Sequence, residues 1–314
     1  MYINSVTHYL PEGRVPNSHF NQINGLTEEW IISRTGIKER TKAGPLENTH
    51  TMGIAAVEKA IEALPYTASE IDLIVGATYT GYDNIVTLGH ALQHYLQADD
   101  AVVLSLSSAC SSLLNAIEVV EGYFAMGKAD TALVVASDHN TAYSDETDRI
   151  AGHLWGDGAV AFFISKERTS PQDHNIIDLF TKGAAHVGKA TEGVVLRPAH
   201  DGFVMNHGKD VFIHACQYMT EATQKILADN SIPIEEMAYF IPHQANWRIT
   251  RKVLENLGLP EEKGLSNIQY LGNTGCPGCG IAFSEHQEEF KQGEYIVMTV
   301  FGGGYSYGAM LIEV

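Results

Sequence analysis

The chain has 314 residues, 45% of them hydrophobic and 18% charged, a composition typical of globular proteins that excludes a disordered or fibrous one. Its formal net charge of −18 argues against nucleic acid and anionic membranes as partners, and any acidic partner would need a local basic patch. Four cysteines are too few for a disulfide framework, no apolar run approaches the roughly 20 residues of a membrane span, and the N-terminus lacks the features of a signal peptide. We therefore expect a cytoplasmic protein, built as one large domain or as two closely joined halves.

Strand-like apolar runs alternate with helical patterns along the first half of the chain. Thr27 is a suitable helix N-cap and Gly36 a suitable stop, which predicts a short helix between them. The run at 101–106 is almost wholly apolar and is expected to be a buried strand. Strands are predicted over 2–9, 71–78, 101–106, 131–137 and 159–164, and further helices over 51–64, 88–96 and 113–126.

A polar segment at 166–175, which contains Pro171, marks the predicted boundary between halves 1–168 and 169–314. The alternation of strands and helices predicts α/β layers. The similar order of elements in the two halves favours a duplicated, multi-layer arrangement, although the residues themselves show no convincing repeat. In the second half, strands are predicted over 176–183, 237–241, 295–300 and 309–314, and helices over 211–227, 249–257 and 277–290.

Cys110 lies in a turn of small residues between a predicted strand and a predicted helix. The N–H groups and the dipole of a helix start favour the thiolate, and a thiolate in such a turn is accessible to a thioester. A buried structural cysteine is the alternative, because that is the commoner role of a free cysteine.

Three further segments place polar or glycine residues after strand-like runs. His243 could exchange a proton or donate to a carbonyl oxygen near neutral pH. Asn273 lies in a glycine-rich turn after a strand-like segment, and its amide could donate to an oxyanion without titrating. Gly303 is the middle one of three glycines that would let a backbone N–H approach a ligand closely. Each of the three has an ordinary structural alternative when it is taken alone.

Together these segments resemble β-ketoacyl-acyl carrier protein synthase III. The resemblance rests on a Cys, a His and an Asn in that order, and it runs from WIISRTG at 30–36 to FGGGYSYGAMLI at 301–312. It implies a thiolase-like, five-layered αβαβα fold of two similar halves, usually assembled as a homodimer. It also implies a decarboxylative Claisen condensation of an acyl primer with malonyl-acyl carrier protein in fatty acid biosynthesis.

The resemblance implies a role for each residue of this set. Cys110 would be the acyl-accepting nucleophile, and His243 and Asn273 would hold the malonyl thioester carbonyl as it becomes an enolate. The N–H groups of Cys110 and Gly303 would form an oxyanion hole. No metal and no dissociable redox cofactor is implied, since acyl-coenzyme A enters as a substrate.

The resemblance also implies contacts with coenzyme A, which would bind to Trp30, Arg34 and Arg149. An indole face and a guanidinium plane both suit stacking on a purine. Core packing is the alternative role for Trp30.

A basic helix face is the predicted docking site for an acidic acyl carrier protein. Arg248, Arg251 and Lys252 are spaced to lie on one face with no acidic residue among them, and Lys209 is expected to contribute. An ordinary solvated face is the alternative.

The sequence departs from the family at two places. Cys276 and Cys279 form a C-x-x-C where the family usually has small residues such as Ser and Ala. Such a pair can indicate a redox dithiol or half a zinc site, but no second pair is present, and packing of small residues is the favoured interpretation. Ile85 replaces a usual aromatic in a loop that shapes the acyl pocket across the family dimer, which favours a longer or branched primer.

Several alternative functions remain open at this stage. The same fold could serve a specialised lipid or polyketide pathway, or act as a plain acyltransferase. A non-catalytic partner subunit is a further alternative, although such subunits usually lose one of the three residues and none is lost here. A thiol-disulfide protein built on Cys276 and Cys279 is the most distant one.

Overall fold

The structure is a computed structural model that describes residues 1–62 and 64–314. The helices are α1 Asn17–Asn24, α2 Glu28–Thr35, α3 Thr49–Ile61, α4 Leu88–Leu96, α5 Ser112–Ala125, α6 Gly208–Asp229, α7 Trp247–Leu257, α8 Ile268–Leu271 and α9 Gly278–His286. The strands are β1 Tyr2–Tyr9, β2 Gly13–Pro16, β3 Glu39–Lys42, β4 Leu73–Ala77, β5 Val102–Leu106, β6 Thr131–His139, β7 Asp157–Ser165, β8 His174–Gly183, β9 Val195–Arg197, β10 Gly202–Val204, β11 Met237–Pro242, β12 Tyr295–Gly302 and β13 Ser306–Glu313.

Nine strands form a mixed sheet in the order β11-β12-β13-β8-β1-β7-β6-β4-β5. Two half-sheets meet where β1 pairs with β8, through Tyr2 opposite Asn175 and Ile3 opposite His174. The strands β1 and β4–β7 belong to the first half of the chain, and β8 and β11–β13 belong to the second. Every predicted strand is therefore present in this sheet.

Five layers result from the packing of helices on these half-sheets. The largest core cluster combines buried side chains of α5 and α9, such as Ile117 and Phe283, with side chains of both half-sheets, such as Val134 and Met298. The helices α5 and α9 therefore form a central layer. Outside it, α3 and α4 cover the first half-sheet, and α6 and α7 cover the second. The predicted αβαβα arrangement is confirmed.

The two halves repeat one order of elements. The first half runs β1, α3, β4, α4, β5, α5, β6, β7, and the second runs β8, α6, β11, α7, α9, β12, β13. The strand order within the sheet is repeated as well, because β1-β7-β6-β4 of the first half corresponds to β8-β13-β12-β11 of the second. The loop between Ser165 and His174 contains the boundary expected after residue 168, and the division into two domains stays a prediction.

From the sequence, residues 101–106 are predicted to form a buried strand. The strand is present, but the prediction that it is buried is wrong. β5 is a strand, but it has β4 as its one neighbour and lies at an edge of the sheet, where Val102 is 41% exposed. An apolar run does not distinguish an edge strand from a central one.

Other differences concern short or polar elements. The two-stranded sheets β2–β3 and β9–β10 and the helices α1 and α8 are too short, or contain too few apolar residues, for a clear periodic signal. The helix predicted over 51–64 is α3, which ends at Ile61, and Ala63 lies outside the described residues. No helix within the described ranges is long and apolar enough to cross a membrane.

Candidate active site

The residues that the sequence singled out converge on one cavity. Cys110 follows β5, His243 follows β11, Asn273 follows α8, and Gly303 follows β12. All four line a cavity of about 300 Å³, although 163 positions separate the first from the third in the sequence. The structure therefore brings the predicted set together in one place.

Cys110 occupies a tight strand-to-helix turn, as predicted. The preceding residue, Ala109, has φ of 50°, a left-handed conformation that is strained for a residue with a side chain. The Ser108 carbonyl accepts a hydrogen bond from the Ser111 N–H at 3.2 Å, and α5 begins at the next residue. This turn directs Cys110 toward the cavity, where the residue is partly exposed.

The expectation that the helix start stabilises a thiolate is wrong for this site. Burial, together with the negative charge of Asp138, raises the pKa of Cys110 to about 12. The nearby Tyr79 hydroxyl and the N–H groups of Gly303 and Cys110 oppose the rise in this pKa without cancelling it. Desolvation therefore outweighs the helix dipole, and Cys110 rests as a thiol.

Backbone packing holds the glycine loop against this turn. A Cβ on Gly302 would lie 2.8 Å from the Cys110 nitrogen, so any side chain there would displace the nucleophile. The close approach brings the Gly303 N–H to the Cys110 sulfur. Gly302, the last residue of β12, is thus required by backbone contact.

His243 is a buried, neutral imidazole. Its backbone N–H donates to the Thr299 carbonyl at 2.7 Å, which fixes the residue at the end of β11. The side chain of the next residue, Gln244, donates to the Pro242 and Leu265 carbonyls and anchors the loop. Burial lowers the pKa of His243 to about 4, and its Nδ1 has no hydrogen-bond partner within the described ranges. The imidazole is therefore a neutral group over the physiological pH range.

Asn273 has a fixed amide orientation. Its Oδ1 accepts a hydrogen bond from the Gly275 N–H at 3.0 Å, so Nδ2 is left as a donor without a protein partner in the part of the chain described. Its backbone N–H donates to the Leu154 carbonyl at 2.8 Å, and its own carbonyl accepts from the Gly156 N–H at 2.9 Å. The segment before Asn273 is the helix α8, and the expectation of a strand there is wrong.

The residues expected to contact coenzyme A lie on the protein surface. Trp30 is part of α2, where its ring packs edge-on against His153, and the Arg34 guanidinium lies 5.6 Å from the Trp30 ring centroid. Arg149 is exposed in the loop before β7. The side chain of Asn246, which caps α7, donates to the Arg34 carbonyl and connects α2 to the His243 segment.

The three cations of α7 line one surface groove, but acidic residues join them there. Arg251 pairs with Glu261 at 2.7 Å, and Lys252 pairs with Glu255 at 3.0 Å. Glu255 belongs to α7 itself, three residues after Lys252, whereas Glu261 is brought to Arg251 by the chain that follows the helix. Arg248 has no acidic partner among the described residues, and its guanidinium lies over the Phe212 ring of α6. Lys209 is exposed in the first turn of that same helix.

Two other predicted positions lie away from the cavity lining. Ile85 is 86% exposed on the loop after β4 and does not line the cavity of its own chain. Cys276 and Cys279 are fully buried at the start of α9. Burial raises the pKa of both thiols, that of Cys279 to about 12, which disfavours the thiolates that redox exchange requires.

Sequence reasoning missed the buried carboxylate of Asp138 beneath the nucleophile. Its Oδ1 accepts hydrogen bonds from the Thr78 and Thr80 hydroxyls, and its Oδ2 accepts from the Cys276 N–H at 2.8 Å. One carboxylate thus connects the end of β6 to the loop after β4 and to the segment after Asn273. The one signal in the sequence is an aspartate near the end of an otherwise apolar run.

The buried histidines predict a loss of stability in mild acid. Burial holds the pKa of His153 and of His243 at about 4, below the ordinary value of 6.5. These two histidines therefore become protonated below about pH 6.5 in the unfolded chain, but only below about pH 4 in the folded chain. The free energy of unfolding is therefore highest above pH 6.5 and decreases as the pH falls toward 4. At pH 5 the decrease is about 2 kcal/mol for each histidine.

Urea unfolding at pH 7.5 and pH 5 measures this effect. The His153→Gln and His243→Gln variants are expected to lose less unfolding free energy between the two pH values than the parent does. An identical loss in parent and variants would contradict the assignment of neutral histidines.

Comparisons with known proteins agree with this geometry. The family described as 3-oxoacyl-[acyl-carrier-protein] synthase III matches residues 104–183, and its C-terminal part matches residues 227–314. The β-ketoacyl-[acyl-carrier-protein] synthase III of Chlamydia pneumoniae is 31% identical, with 97% of this chain and 94% of the relative covered. The relative of that name from Clostridium perfringens is 32% identical over 97% of this chain and 96% of its own length.

Solved structures extend the similarity to the fold. The crystal structure of 3-oxoacyl-[acyl-carrier-protein] synthase III from Aquifex aeolicus superposes with a TM-score of 0.92 and 30% identity, covering 100% of this chain and 99% of the other. A priming β-ketosynthase of a polyketide biosynthetic pathway superposes with a TM-score of 0.89 and 29% identity, covering 99% and 95%. On these similarities, the chain belongs to the β-ketoacyl-[acyl-carrier-protein] synthase III family.

Proposed function

We propose that this enzyme joins an acyl primer, carried as a thioester on Cys110, to malonyl-acyl carrier protein with loss of carbon dioxide, as an initiating step of fatty acid biosynthesis. The observation that carries the proposal is the shared cavity of Cys110, His243 and Asn273. Cys110 is the nucleophile there. The neutral imidazole of His243 and the amide of Asn273 lie in the same cavity, and each has a nitrogen without a protein partner in the described part of the chain. Cytoplasmic location and the absence of a cofactor other than the substrates are parts of the same proposal.

The first half-reaction transfers the acyl group. The Cys110 sulfur attacks the thioester carbonyl of acyl-coenzyme A, the carbon–sulfur bond to coenzyme A breaks, and the thiol proton ends on the departing coenzyme A sulfur. The N–H groups of Cys110 and Gly303 serve as the oxyanion hole for the tetrahedral intermediate. Both groups lie at the Cys110 sulfur, next to which the thioester carbonyl must bind, so they can pass from the sulfur to the developing oxyanion during the attack.

The second half-reaction decarboxylates the malonyl group and forms the new carbon–carbon bond. As carbon dioxide leaves, negative charge develops on the thioester carbonyl oxygen of malonyl-acyl carrier protein, where Asn273 Nδ2 and the neutral His243 donate hydrogen bonds. The enolate carbon then attacks the acyl-Cys110 carbonyl. Cys110 leaves as a thiolate and takes up a proton, and the product is a 3-oxoacyl thioester on the carrier.

The cavity suits a thin thioester arm. Apolar side chains line most of its wall, and they include Leu196, Phe203, Met205, Met219 and Phe301. A largely apolar wall excludes water from the acyl-enzyme and strengthens the few polar contacts at the reacting atoms. We assign Trp30, Arg34 and Arg149 to the nucleotide end of coenzyme A, which would remain at the surface.

We further propose that the enzyme is a homodimer joined along β5. The open edge of this strand exposes backbone groups and Val102, and the nearby loop exposes Ile85 and Val86. An apolar edge of this kind is prone to pair with another strand. A second copy would cover it, and Ile85 would then reach the acyl pocket of the partner.

Arg248 is the cation most available to an acidic carrier protein. Arg251 and Lys252 already pair with glutamates, whereas Arg248 does not in the described part of the chain. The Arg248→Ala variant is therefore expected to raise KM for malonyl-acyl carrier protein by about fivefold, which is the effect of one exposed ion pair. Steady-state kinetics measures it, with Arg251→Ala as the matched control and a smaller expected change. A larger effect of Arg251→Ala would contradict the assignment.

Intact-mass spectrometry tests the proposed function at its first step. After incubation with acetyl-, medium-chain and branched acyl-coenzyme A, one acyl adduct per chain is expected, and the favoured chain identifies the primer class. Absence of any adduct would overturn acyl-coenzyme A as donor and would favour a carrier-fed enzyme or a binding subunit. The relatives do not favour the alternatives of a thiol-disulfide protein or a plain acyltransferase.

A further inference from the structure

Tyr79 is a site residue for which the proposed mechanism has no role. It lies in the loop that follows β4, and its ring lines the cavity together with Cys110, His243 and Asn273. Its hydroxyl is buried without a hydrogen-bond partner among the described residues, and the Cys110 thiol is near enough for the two groups to shift each other's pKa. A buried phenol without another partner, next to a nucleophile, is a costly arrangement unless the hydroxyl is used.

The surroundings hold this side chain in place. The Tyr79 N–H donates to Asp138 Oδ1 at 3.1 Å, and the hydroxyls of Thr78 and Thr80 donate to the same oxygen. The ring packs edge-on against Phe203, with the ring centroids 6.1 Å apart. Asp138 and Phe203 thus fix both the backbone and the ring, and a Phe at this position would keep these contacts.

Gly275 provides the space that the hydroxyl occupies. A Cβ on Gly275 would lie 2.5 Å from the Tyr79 Oη and would also collide with the Asp138 carboxylate. Gly275 has φ of 82°, which further disfavours any other residue. Gly275 therefore leaves open the space that the Tyr79 hydroxyl fills.

We propose that Tyr79 is a further catalytic residue of the acyl-transfer step, in which its hydroxyl donates a hydrogen bond to the Cys110 sulfur as negative charge develops there. The inference rests on the proposed function, because it concerns the attack of Cys110 on a thioester. Tyr79 keeps its own proton throughout, and the thiol proton still ends on the departing thiol. The hydroxyl adds a third donor to the two backbone N–H groups at the sulfur.

The chemistry of the site gives this donor a reason. Burial and the charge of Asp138 raise the free energy of the Cys110 thiolate. Each hydrogen-bond donor at the sulfur lowers it and so favours the form that attacks the thioester. Burial also raises the pKa of Tyr79 well above its usual value, so the phenol stays protonated and remains a donor at every working pH. After acylation the sulfur is a weak acceptor, so the hydrogen bond favours the attack more than it favours the acyl-enzyme.

The Tyr79→Phe variant removes this one hydroxyl. Alkylation of Cys110 by iodoacetamide, measured between pH 7 and 9 without any substrate, is expected to slow by about threefold to tenfold. The variant has a smaller fraction of thiolate, and the higher nucleophilicity of that thiolate offsets part of the loss. Single-turnover acylation by acyl-coenzyme A is expected to slow in parallel. Decarboxylation of malonyl-acyl carrier protein by enzyme that is already acylated is expected to stay unchanged.

Tyr82→Phe is the matched control, because Tyr82 lies in the same loop and is 66% exposed. Its alkylation and acylation rates are expected to equal those of the parent. Parent-like alkylation of Tyr79→Phe, with thermal stability unchanged or higher, would overturn the proposal and leave Tyr79 a packing residue. Because alkylation needs no substrate, slower alkylation of Tyr79→Phe together with a parent enzyme that forms no acyl adduct would support the hydrogen bond while overturning the proposed function.

Discussion

The Cys110→Ala variant is expected to form no acyl adduct and to lose condensation by at least about a thousandfold, the scale of removing a catalytic nucleophile. The physical reason is that Cys110 is the cysteine whose sulfur reaches the cavity, whereas Cys216, Cys276 and Cys279 are buried in the core. No described side chain nearby can replace a soft sulfur nucleophile whose thioester remains reactive. Intact-mass spectrometry and a carrier-based condensation assay measure the two losses.

Cys216→Ala is the matched control for this variant. Cys216 is buried in α6 and does not line the cavity, so its removal is expected to leave a full acyl adduct. An adduct that persists in Cys110→Ala and disappears in Cys216→Ala would contradict the assignment of the nucleophile.

The Asn273→Asp variant is expected to slow condensation by about a hundredfold to a thousandfold, as the loss of one oxyanion donor does in other enzymes. Aspartate keeps the oxygen that accepts the Gly275 N–H, so the turn is retained. It replaces the Nδ2 donor with a negatively charged oxygen, which repels the developing enolate. Acylation of Cys110 does not use this donor and is expected to continue.

Separate measurement of the two half-reactions tests this division. The acyl adduct is quantified by mass, and condensation is followed from the pre-formed acyl-enzyme. Asn273→Ala serves as the control, because it removes the donor without adding charge. Its condensation rate is expected to fall less than that of Asn273→Asp. Equal loss of acylation and condensation in both variants would contradict the assigned role.

The long periodic elements and the order of the three central site residues could be predicted from the sequence. The helices α4 and α7 lie where apolar periodicity placed them, and Cys110, His243 and Asn273 share a cavity as the family resemblance implied. Each of these predictions depended on a local pattern or on residues within a known motif. Local patterns carry that information because side-chain periodicity follows the backbone directly.

What the sequence could not provide depends on contacts between distant segments. The resting state of Cys110 follows from burial and from Asp138, which lies 28 positions away, so reasoning from the helix start alone gave the wrong protonation state. The ion pair of Arg251 with Glu261 depends on where the chain runs after α7. The edge position of β5 depends on the strand order of the whole sheet.

Tyr79 and Gly275 illustrate the same limit. They are 196 positions apart, and neither belongs to a motif that predicts catalysis. Only the folded chain places the Tyr79 hydroxyl in the space that Gly275 leaves open beside Cys110.

The most direct test of decarboxylative condensation follows both products of one reaction. The acyl-enzyme is mixed with malonyl-acyl carrier protein labelled at the free carboxyl group, and released carbon dioxide and the mass of the carrier are measured together. We expect labelled carbon dioxide and a 3-oxoacyl carrier in equal amounts. Transfer of the acyl group to the carrier with the label retained would contradict it and would identify an acyltransferase.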